Sequence, residues 1–156
     1  MKVLLAIDGS PHSQAAIAAV TRRPWPKGTA VKILTVLHSP TAVVMMDVAL
    51  GLPAVDAEQI DEHRRHASTL LDGAGKQIAR AAPEVTITTR ILEGNPKDVI
   101  VEEARTWNAD LIVLGSHGYG RLRRMVLGSV AGAVVANARC SVQVAREKRD
   151  LLGGAG

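Results

Sequence analysis

The fold is decided near the C-terminal end of the chain, where residues 110–129 read Asp-Leu-Ile-Val-Leu-Gly-Ser-His-Gly-Tyr-Gly-Arg-Leu-Arg-Arg-Met-Val-Leu-Gly-Ser. After Asp110, residues 111–114 are an apolar run typical of a buried strand, and residues 130–137 are small and apolar enough for a packed helix. Gly115, Gly118 and Gly128 lie between the two elements. Glycines let a backbone approach an anion closely, and the free N–H groups at a helix start favour negative charge. The stretch therefore predicts a strand, a phosphate-binding loop and a helix that begins at Gly128-Ser129.

Strands and helices alternate along the rest of the chain. The apolar runs predict strands at residues 3–7, 30–37, 85–92, 111–114 and 141–145. Helices are predicted from Pro11 to about Val20, from about Ile60 to Ala81, from Pro96 and after Gly128, with Ser10 and Asn95 as N-caps. A loop rich in apolar residues is expected from His38 to about Val55. This alternation predicts a mainly parallel sheet with helices on both faces.

The spacing Gly-x2-Gly-x9-Gly-Ser, from Gly115 to Ser129, resembles the nucleotide-binding signature of the universal stress protein family, in its ATP-binding branch. Residues 2–10, 93–100 and 109–118 are similar to three further segments of that family, in the same order. The resemblance covers residues 1–146, which we expect to form a single domain, with residues 147–156 as a flexible tail. It implies an α/β fold of three layers, α/β/α, with a five-stranded parallel sheet in the order 3-2-1-4-5. This is the adenine nucleotide alpha hydrolase-like, or Rossmann-like, architecture.

The strand order predicts where a ligand would lie. In such a sheet the order reverses between strands one and four, and ligands bind outside the carboxyl ends of the strands at that point. Asp8 and Gly115 would form the two lips of this cleft. The resemblance implies ATP with Mg²⁺ or Mn²⁺ as the ligand, with the adenine edge at the backbone of Val36 and Asp8 beside the ribose and, through phosphate, the metal. The full set of nucleotide-binding residues that it implies is Asp8, Val36, Gly115, His117, Gly118, Arg121, Gly128, Ser129 and Val130.

The remaining histidines and several absent motifs narrow the chemistry. We interpret His117 as a loop residue near phosphate rather than a catalytic base, and His12, His38, His63 and His66 as surface residues without metal-ligand spacing. The chain has neither the P-loop motif nor a G-x-G-x-x-G after its first strand. Without an evident nucleophile–base pair, we expect a regulatory ATP-binding protein rather than an efficient enzyme. A slow ATP hydrolase or nucleotidyl-handling enzyme is the alternative, and a nucleotide-free scaffold is a third reading that the glycine signature disfavours.

Composition bears on partners and location. The net charge is +4, but only 2% of residues are aromatic, so a stacking surface for nucleic acid is missing and no specific nucleic-acid partner is expected. We also expect no membrane association, because no apolar run reaches the ~18 residues of a membrane span. A start without a signal-peptide pattern predicts a cytoplasmic location. The single cysteine, Cys140, is interpreted as a buried structural thiol. The identity of a protein partner is not encoded in any motif.

Assembly is predicted from the last strand. Strand five, residues 141–145, would lie at an edge of the sheet with unpaired backbone groups, and neither proline nor an inward charge protects it. The resemblance implies that this strand pairs with its own copy across a two-fold axis. The expectation is a homodimer formed through residues 140–146.

Overall fold

The computed structural model describes residues 1–39, 45, 49–51, 57–117 and 127–146. Its strands are β1 (Lys2–Ala6), β2 (Ala30–Leu37), β3 (Thr86–Glu93), β4 (Leu111–Gly115) and β5 (Ser141–Ala145). Its helices are α1 (Pro11–Thr21), α2 (Ala57–Ala81), α3 (Pro96–Trp107) and α4 (Ser129–Asn137). The predicted alternation is confirmed, with strand ends that differ from the sequence prediction by one residue. Most of the predicted loop after His38 and the whole predicted tail lie outside the described residues.

The sheet is parallel throughout and its order is β3-β2-β1-β4-β5, as predicted. β1 lies in the centre, with Leu5 opposite Ile33 of β2 and Val113 of β4. From β1 the chain proceeds to β2 and β3 on one side, and it then returns to the other side of β1 for β4 and β5. The strand order therefore reverses between β1 and β4. The carboxyl ends of β1 and β4 therefore form the expected switch point.

Alternate residues of the strands fill two separate cores, which makes the three-layer arrangement. On one face Val3, Leu5 and Val113 pack against Ile17 of α1 and Ile78 of α2. On the other face the strands meet the other two helices, through a set of buried residues that comprises Leu4, Ala6, Leu34, Ile112, Leu114, Ile100, Ala104, Ala131 and Val134. The central strands β1 and β4 are buried on both faces, which explains why their sequences read as continuous apolar runs, whereas β3 at the edge is mostly exposed or half-buried.

Cys140 is less buried than predicted. It is half-buried, because it comes just before the edge strand β5 and only its inner side packs against the core beneath α3 and α4. Burial and then the negative charge of Asp110 raise the pKa of this thiol. A raised pKa disfavours the thiolate, so Cys140 is a poor nucleophile at neutral pH. Among the helices of the described residues, none is long and apolar enough to cross a membrane.

Candidate functional site

A cavity of about 650 Å³ opens at the carboxyl edge of the sheet, at the switch point between β1 and β4. Its floor is apolar and comes from the ends of the central strands and from α3 and α4, and its rim is polar. The lining residues are Ala6, Ile7, Asp8, Ser13, Leu34, Val36, His38, Asn95, Pro96, Lys97, Ile100, Leu114, Gly115, His117, Gly128, Ser129, Val130 and Ala131. An apolar cleft with a few convergent polar groups is the usual form of a small-molecule site.

The structure brings most of the residues singled out from the sequence into this one cavity. Those that line it are Asp8, Val36, Gly115, His117, Gly128, Ser129 and Val130. The other two, Gly118 and Arg121, lie outside the described residues. Residues separated by more than 100 positions in the chain, such as Asp8 and Gly128, thus share one cleft because β1 and β4 are adjacent.

Three helices that begin at this edge of the sheet, α1, α3 and α4, have their N-caps among the described residues, and of these three α4 alone has no side-chain cap. In α1 the Ser10 hydroxyl accepts a hydrogen bond from the Ser13 N–H (3.2 Å), and in α3 the Asn95 side chain accepts one from the Lys97 N–H (3.4 Å). The N-cap of α4 is Gly128, which has no side chain to offer. The first N–H groups of a helix have no partner within it. The start of α4, at Ser129 and Val130, therefore offers backbone donors with no side-chain cap in competition with an anion.

Asp8 both orders the loop after β1 and gives the cleft a negative charge. Its Oδ1 accepts hydrogen bonds from the Ser10 N–H (3.0 Å) and the Ser13 hydroxyl (2.5 Å), and its own N–H donates to Ser13 Oγ (2.9 Å). Within the described part of the chain, no group of three His, Cys, Asp or Glu side chains could hold a metal by itself. Among the described residues that line the cavity, Asp8 is the carboxylate.

The backbone of Val36 is directed toward the cleft. The Ala30 N–H donates to the Met1 carbonyl and the Leu34 carbonyl accepts from the Ile7 N–H, both at 2.9 Å, so alternate residues of β2 from Ala30 onward face β1. Val36 continues this series, just where β1 has ended at Ala6. Its N–H and C=O consequently lie on the side of β2 that borders the cavity.

Two further side chains, which the sequence analysis did not select as ligand contacts, also line the cavity. His38 follows the carboxyl end of β2, and Lys97 is the second residue of α3. His38 is exposed, as predicted, yet it borders the cleft. The positional signal was present, because residues that follow a strand in a parallel sheet lie at the ligand edge. Lys97 could be placed only after the docking of α3 was known.

His12 corrects the sequence interpretation. It is half-buried rather than a surface residue, because the start of α1 packs directly against the end of β4. Its Nδ1 lies 3.4 Å from the Ser116 hydroxyl, and its ring centroid lies 5.2 Å from that of His117. His63 and His66 are exposed on α2, as predicted.

The fold is shared with solved structures of known proteins. The universal stress protein UspA from Lactobacillus plantarum superposes with a TM-score of 0.71 over 94% of this chain and 97% of that one, at 27% identity. Three further structures, with TM-scores of 0.68, 0.66 and 0.65 and identities of 23%, 17% and 21%, contain nucleotides. They are a universal stress protein in complex with cAMP, an Arabidopsis thaliana protein of that family with AMP bound, and the Archaeoglobus fulgidus universal stress protein in complex with dAMP. At these identities the likeness establishes the fold alone.

Sequence comparison agrees with the structural one. A universal stress protein of Methanocaldococcus jannaschii is 39% identical over 116 residues, which are 69% of this chain and 65% of that protein. The chain thus spans slightly less than two thirds of that relative's length. The sequence profile of the universal stress protein family matches residues 1–146. This chain belongs to the universal stress protein family.

Proposed function

We propose that this protein binds an adenine nucleotide in the cleft between β1 and β4, that ATP with Mg²⁺ or Mn²⁺ is its ligand, and that occupancy of the cleft regulates a surface read by partner proteins. The observation that carries the proposal is the start of α4. Among the helix starts whose N-caps the structure describes, it alone lacks a side-chain cap, and it borders the same cavity as Val36. The start of α4 thus offers N–H donors for a phosphate at one end of the cleft. At the other end, the N–H and C=O of Val36 offer a donor and an acceptor for a base.

The spacing of these two ends suits a nucleotide. Neighbouring strands lie about 4.8 Å apart, so the ends of β2 and β4, which flank β1, are about 10 Å apart. An adenosine phosphate placed across this gap would bring its base to Val36 and the apolar residues Leu34 and Ile100. Its phosphate would then reach the N–H groups of Ser129 and Val130, where the positive end of the helix dipole favours an anion.

A divalent cation would enter with the phosphates. When bound, such a cation neutralises phosphate charge and polarises the phosphoryl oxygens. Asp8 supplies a negative charge at the same cleft, while its Oδ1 stays engaged with Ser10 and Ser13. The role we assign to Asp8 is to favour the metal-bound form of the nucleotide over the free polyanion.

The nucleotide-bound relatives support the ligand class. Proteins of similar fold are known with AMP, cAMP and dAMP, which share the adenine base and one phosphate group. The glycine spacing from Gly115 to Ser129 extends the inference from this class to ATP, and the loop between its glycines holds Arg121, which would add positive charge beside a longer phosphate chain.

Two measurements test the ligand. Mass spectrometry of the small molecules released from purified, denatured protein should find an adenine nucleotide. ATP with Mg²⁺ at ~100 times its dissociation constant should stabilise the fold by about 2.7 kcal/mol, seen as a rise of several degrees in melting temperature. A melting temperature that does not respond to ATP, AMP or cAMP, together with protein that releases no nucleotide, would refute the proposal.

A matched pair of variants at Gly128 locates the phosphate. Gly128→Asp places a carboxylate where it caps α4 and repels an anion, whereas Gly128→Ala adds only the β-carbon. That carbon would lie 3.1 Å from the His117 Cα and the Ser116 carbonyl oxygen in both variants, so the small steric adjustment is shared. We expect Gly128→Asp to lose the stabilisation by ATP and Gly128→Ala to keep much of it. Equal ATP affinity in the two variants would place the phosphate elsewhere.

A further inference from the structure

At the end of β1, the hydroxyl of Ser13 makes two hydrogen bonds to the same residue, Asp8. Its Oγ accepts from the Asp8 N–H (2.9 Å), and it lies 2.5 Å from Oδ1 of the Asp8 carboxylate. An ionised carboxylate only accepts hydrogen bonds, so the proton between these two oxygens comes from Ser13. The direction of both bonds is therefore determined: the Asp8 backbone donates to Ser13, and Ser13 donates to the Asp8 side chain.

Together the two bonds close a ring that contains the side-chain torsion of Asp8. The ring runs through N, Cα, Cβ, Cγ and Oδ1 of Asp8 and returns through Oγ of Ser13. Rotation about the Cα–Cβ bond would carry Oδ1 away from Ser13 while the Asp8 N–H stayed in place. The Ser13 hydroxyl thus selects one χ1 rotamer of Asp8 from the staggered set that an aspartate can adopt.

Buried groups hold this ring in place from two sides. Ser13 and Ser10 are both buried, and the Ser13 N–H donates to the Ser10 hydroxyl (3.2 Å), so the first turn of α1 fixes the position of Ser13. On the other side, the buried Thr35 of β2 donates its hydroxyl to the Ile7 carbonyl (3.1 Å), in the peptide group that precedes Asp8. The backbone of Asp8 is therefore anchored to both β2 and α1.

The two carboxylate oxygens of Asp8 consequently have different surroundings. Oδ1 accepts from the Ser13 hydroxyl and from the Ser10 N–H (3.0 Å), whereas none of the described residues forms a hydrogen bond to Oδ2. Asp8 itself is exposed and lines the cavity. Oδ1 is thus tied to the start of α1, and Oδ2 is the oxygen that a ligand in the cleft can reach.

We propose that Ser13 is a positioning residue of the nucleotide site: its hydroxyl holds Asp8 in one χ1 rotamer, with Oδ1 against the start of α1 and Oδ2 presented to the ligand. This inference rests on the proposed function, since a nucleotide must occupy the cleft for the position of Oδ2 to affect binding. The Ser10 N–H cannot replace Ser13 in this role, because its single bond to Oδ1 does not involve the Asp8 N–H and closes no ring around χ1.

The test reads the Asp8 rotamer directly in the full-length, ligand-free chain. Three-bond NMR couplings to the Asp8 β-protons should show a single χ1 rotamer in the wild type and an average over several rotamers in Ser13→Ala. Ser10→Ala is the matched control, because it also removes a buried hydroxyl from the start of α1 but keeps the backbone N–H of residue 10 and the ring between Ser13 and Asp8. Both variants should melt at a lower temperature, and Ser13→Ala alone should release the Asp8 side chain.

Affinity for ATP in the presence of Mg²⁺ then connects the rotamer to the ligand. In proportion to the fraction of molecules in which Oδ2 has turned away, Ser13→Ala should weaken binding by about two- to fivefold, and Ser10→Ala should stay within about twofold of the wild type. When Asp8→Asn is already present, Ser13→Ala should cause no further loss, because the charge that Ser13 positions is gone.

Three outcomes would overturn the inference. They are an Asp8 rotamer that is already averaged in the wild type, a rotamer that Ser13→Ala leaves unchanged, and a loss of ATP affinity from Ser13→Ala that is equally large with and without Asp8→Asn. The last of these would show that Ser13 acts through the stability of α1 and not through Asp8. A wild-type chain that binds no adenine nucleotide would overturn the proposed function, and the two failures are distinguishable because the rotamer is read without ligand.

Discussion

Gly115 and His12 approach so closely that a β-carbon built on Gly115 would lie 2.6 Å from the backbone carbonyl carbon and oxygen of His12. Gly115 ends β4 and His12 belongs to the first turn of α1, so the contact fixes how the helix sits on the sheet. The absence of a side chain at position 115 thus has a packing cause that does not depend on any ligand. The same close approach brings the His12 ring to Ser116.

Gly115→Ala should consequently destabilise the fold. A β-carbon at 2.6 Å from backbone atoms forces the start of α1 away from β4, and overpacking of this kind costs about 1–3 kcal/mol. Gly132→Ala is the matched control, because a β-carbon there meets no atom within 4 Å and alanine favours a helix more than glycine does. Thermal and urea denaturation should show a lower stability for Gly115→Ala and an equal or higher one for Gly132→Ala. A Gly115→Ala variant as stable as the wild type would contradict the packing argument.

A buried carboxylate makes the stability depend on pH. Glu103 of α3 is 7% exposed, and its Oε1 contacts Lys32 Nζ (2.7 Å) and an Arg90 guanidinium nitrogen (3.2 Å). Burial by itself would raise the pKa of Glu103, but the hydrogen bond from Lys32 and the charges of Lys32 and Arg90 outweigh it and lower the pKa below its usual range. A lowered pKa in the folded state contributes stability above the unfolded pKa, about 4.3, and this contribution is lost as the pH falls further.

Glu103→Gln should remove this contribution at neutral pH. The change leaves Lys32, whose side chain is 12% exposed, without its counter-charge, and removal of one partner of a buried pair costs about 3 kcal/mol. Urea denaturation at several pH values should show a large deficit at pH 7 that shrinks as the pH falls below the unfolded pKa of about 4.3. Glu102→Gln is the control, since the Glu102–Arg105 pair is exposed and its loss should hardly change the melting temperature. A deficit that is constant with pH would show that lost packing, and not charge, is responsible.

The sequence predicted the fold well because its signals are local and repeated. Buried parallel strands read as apolar runs, and the Ser10-Pro11 and Asn95-Pro96 pairs mark helix starts that the structure confirms. The strand order came from the resemblance to a family and not from these runs, since periodicity does not determine which strands are neighbours.

The surroundings of the cleft were predicted less completely. Residues within the glycine motif could be selected by spacing. The docking of α1 and α3 on the sheet, in contrast, is what places His12 against Ser116 and Lys97 at the cleft. A contact between residues 104 positions apart, as between His12 and Ser116, has no signature in a single sequence. For the same reason Gly115 was assigned to phosphate alone, although its contact with α1 is at least as demanding.

Asp8→Asn should change the affinity for metal-bound ATP and the affinity for metal-free ATP in different ways. Asparagine keeps an acceptor at Oδ1 for the Ser10 N–H and the Ser13 hydroxyl, so the loop after β1 and the melting temperature should be preserved. Without the charge, binding of ATP in the presence of Mg²⁺ should weaken by about three- to tenfold, whereas metal-free ATP should bind equally or more tightly because like-charge repulsion is removed. Calorimetric titration with and without Mg²⁺ measures both. Asp98→Asn, on the exposed first turn of α3, should affect neither, and a parallel loss of both affinities in Asp8→Asn would exclude the metal role.

The edge strand β5 presents its backbone outward at even-numbered residues. The Ala145 carbonyl accepts a hydrogen bond from the Ser116 N–H, so Ala145, Gln143 and Ser141 face β4, and Val142 and Val144 direct their N–H and C=O groups away from the sheet. The side chains of Val142 and Val144 pack against the protein's own core. A partner copy that paired with this edge would therefore gain backbone hydrogen bonds along β5.

This geometry gives a proline test of the homodimer that we propose through residues 140–146. Val142→Pro removes a donor that points away from the sheet, so the fold should survive and the dimer should be lost. Gln143→Pro removes a donor that points toward β4 and should destabilise the fold itself. Light scattering at tens of micromolar should show a dimer for the wild type and a folded monomer for Val142→Pro, with thermal melts to confirm folding. A wild-type monomer, or a Val142→Pro dimer as stable as the wild type, would move the interface away from β5 and leave the cleft between β1 and β4 unaffected.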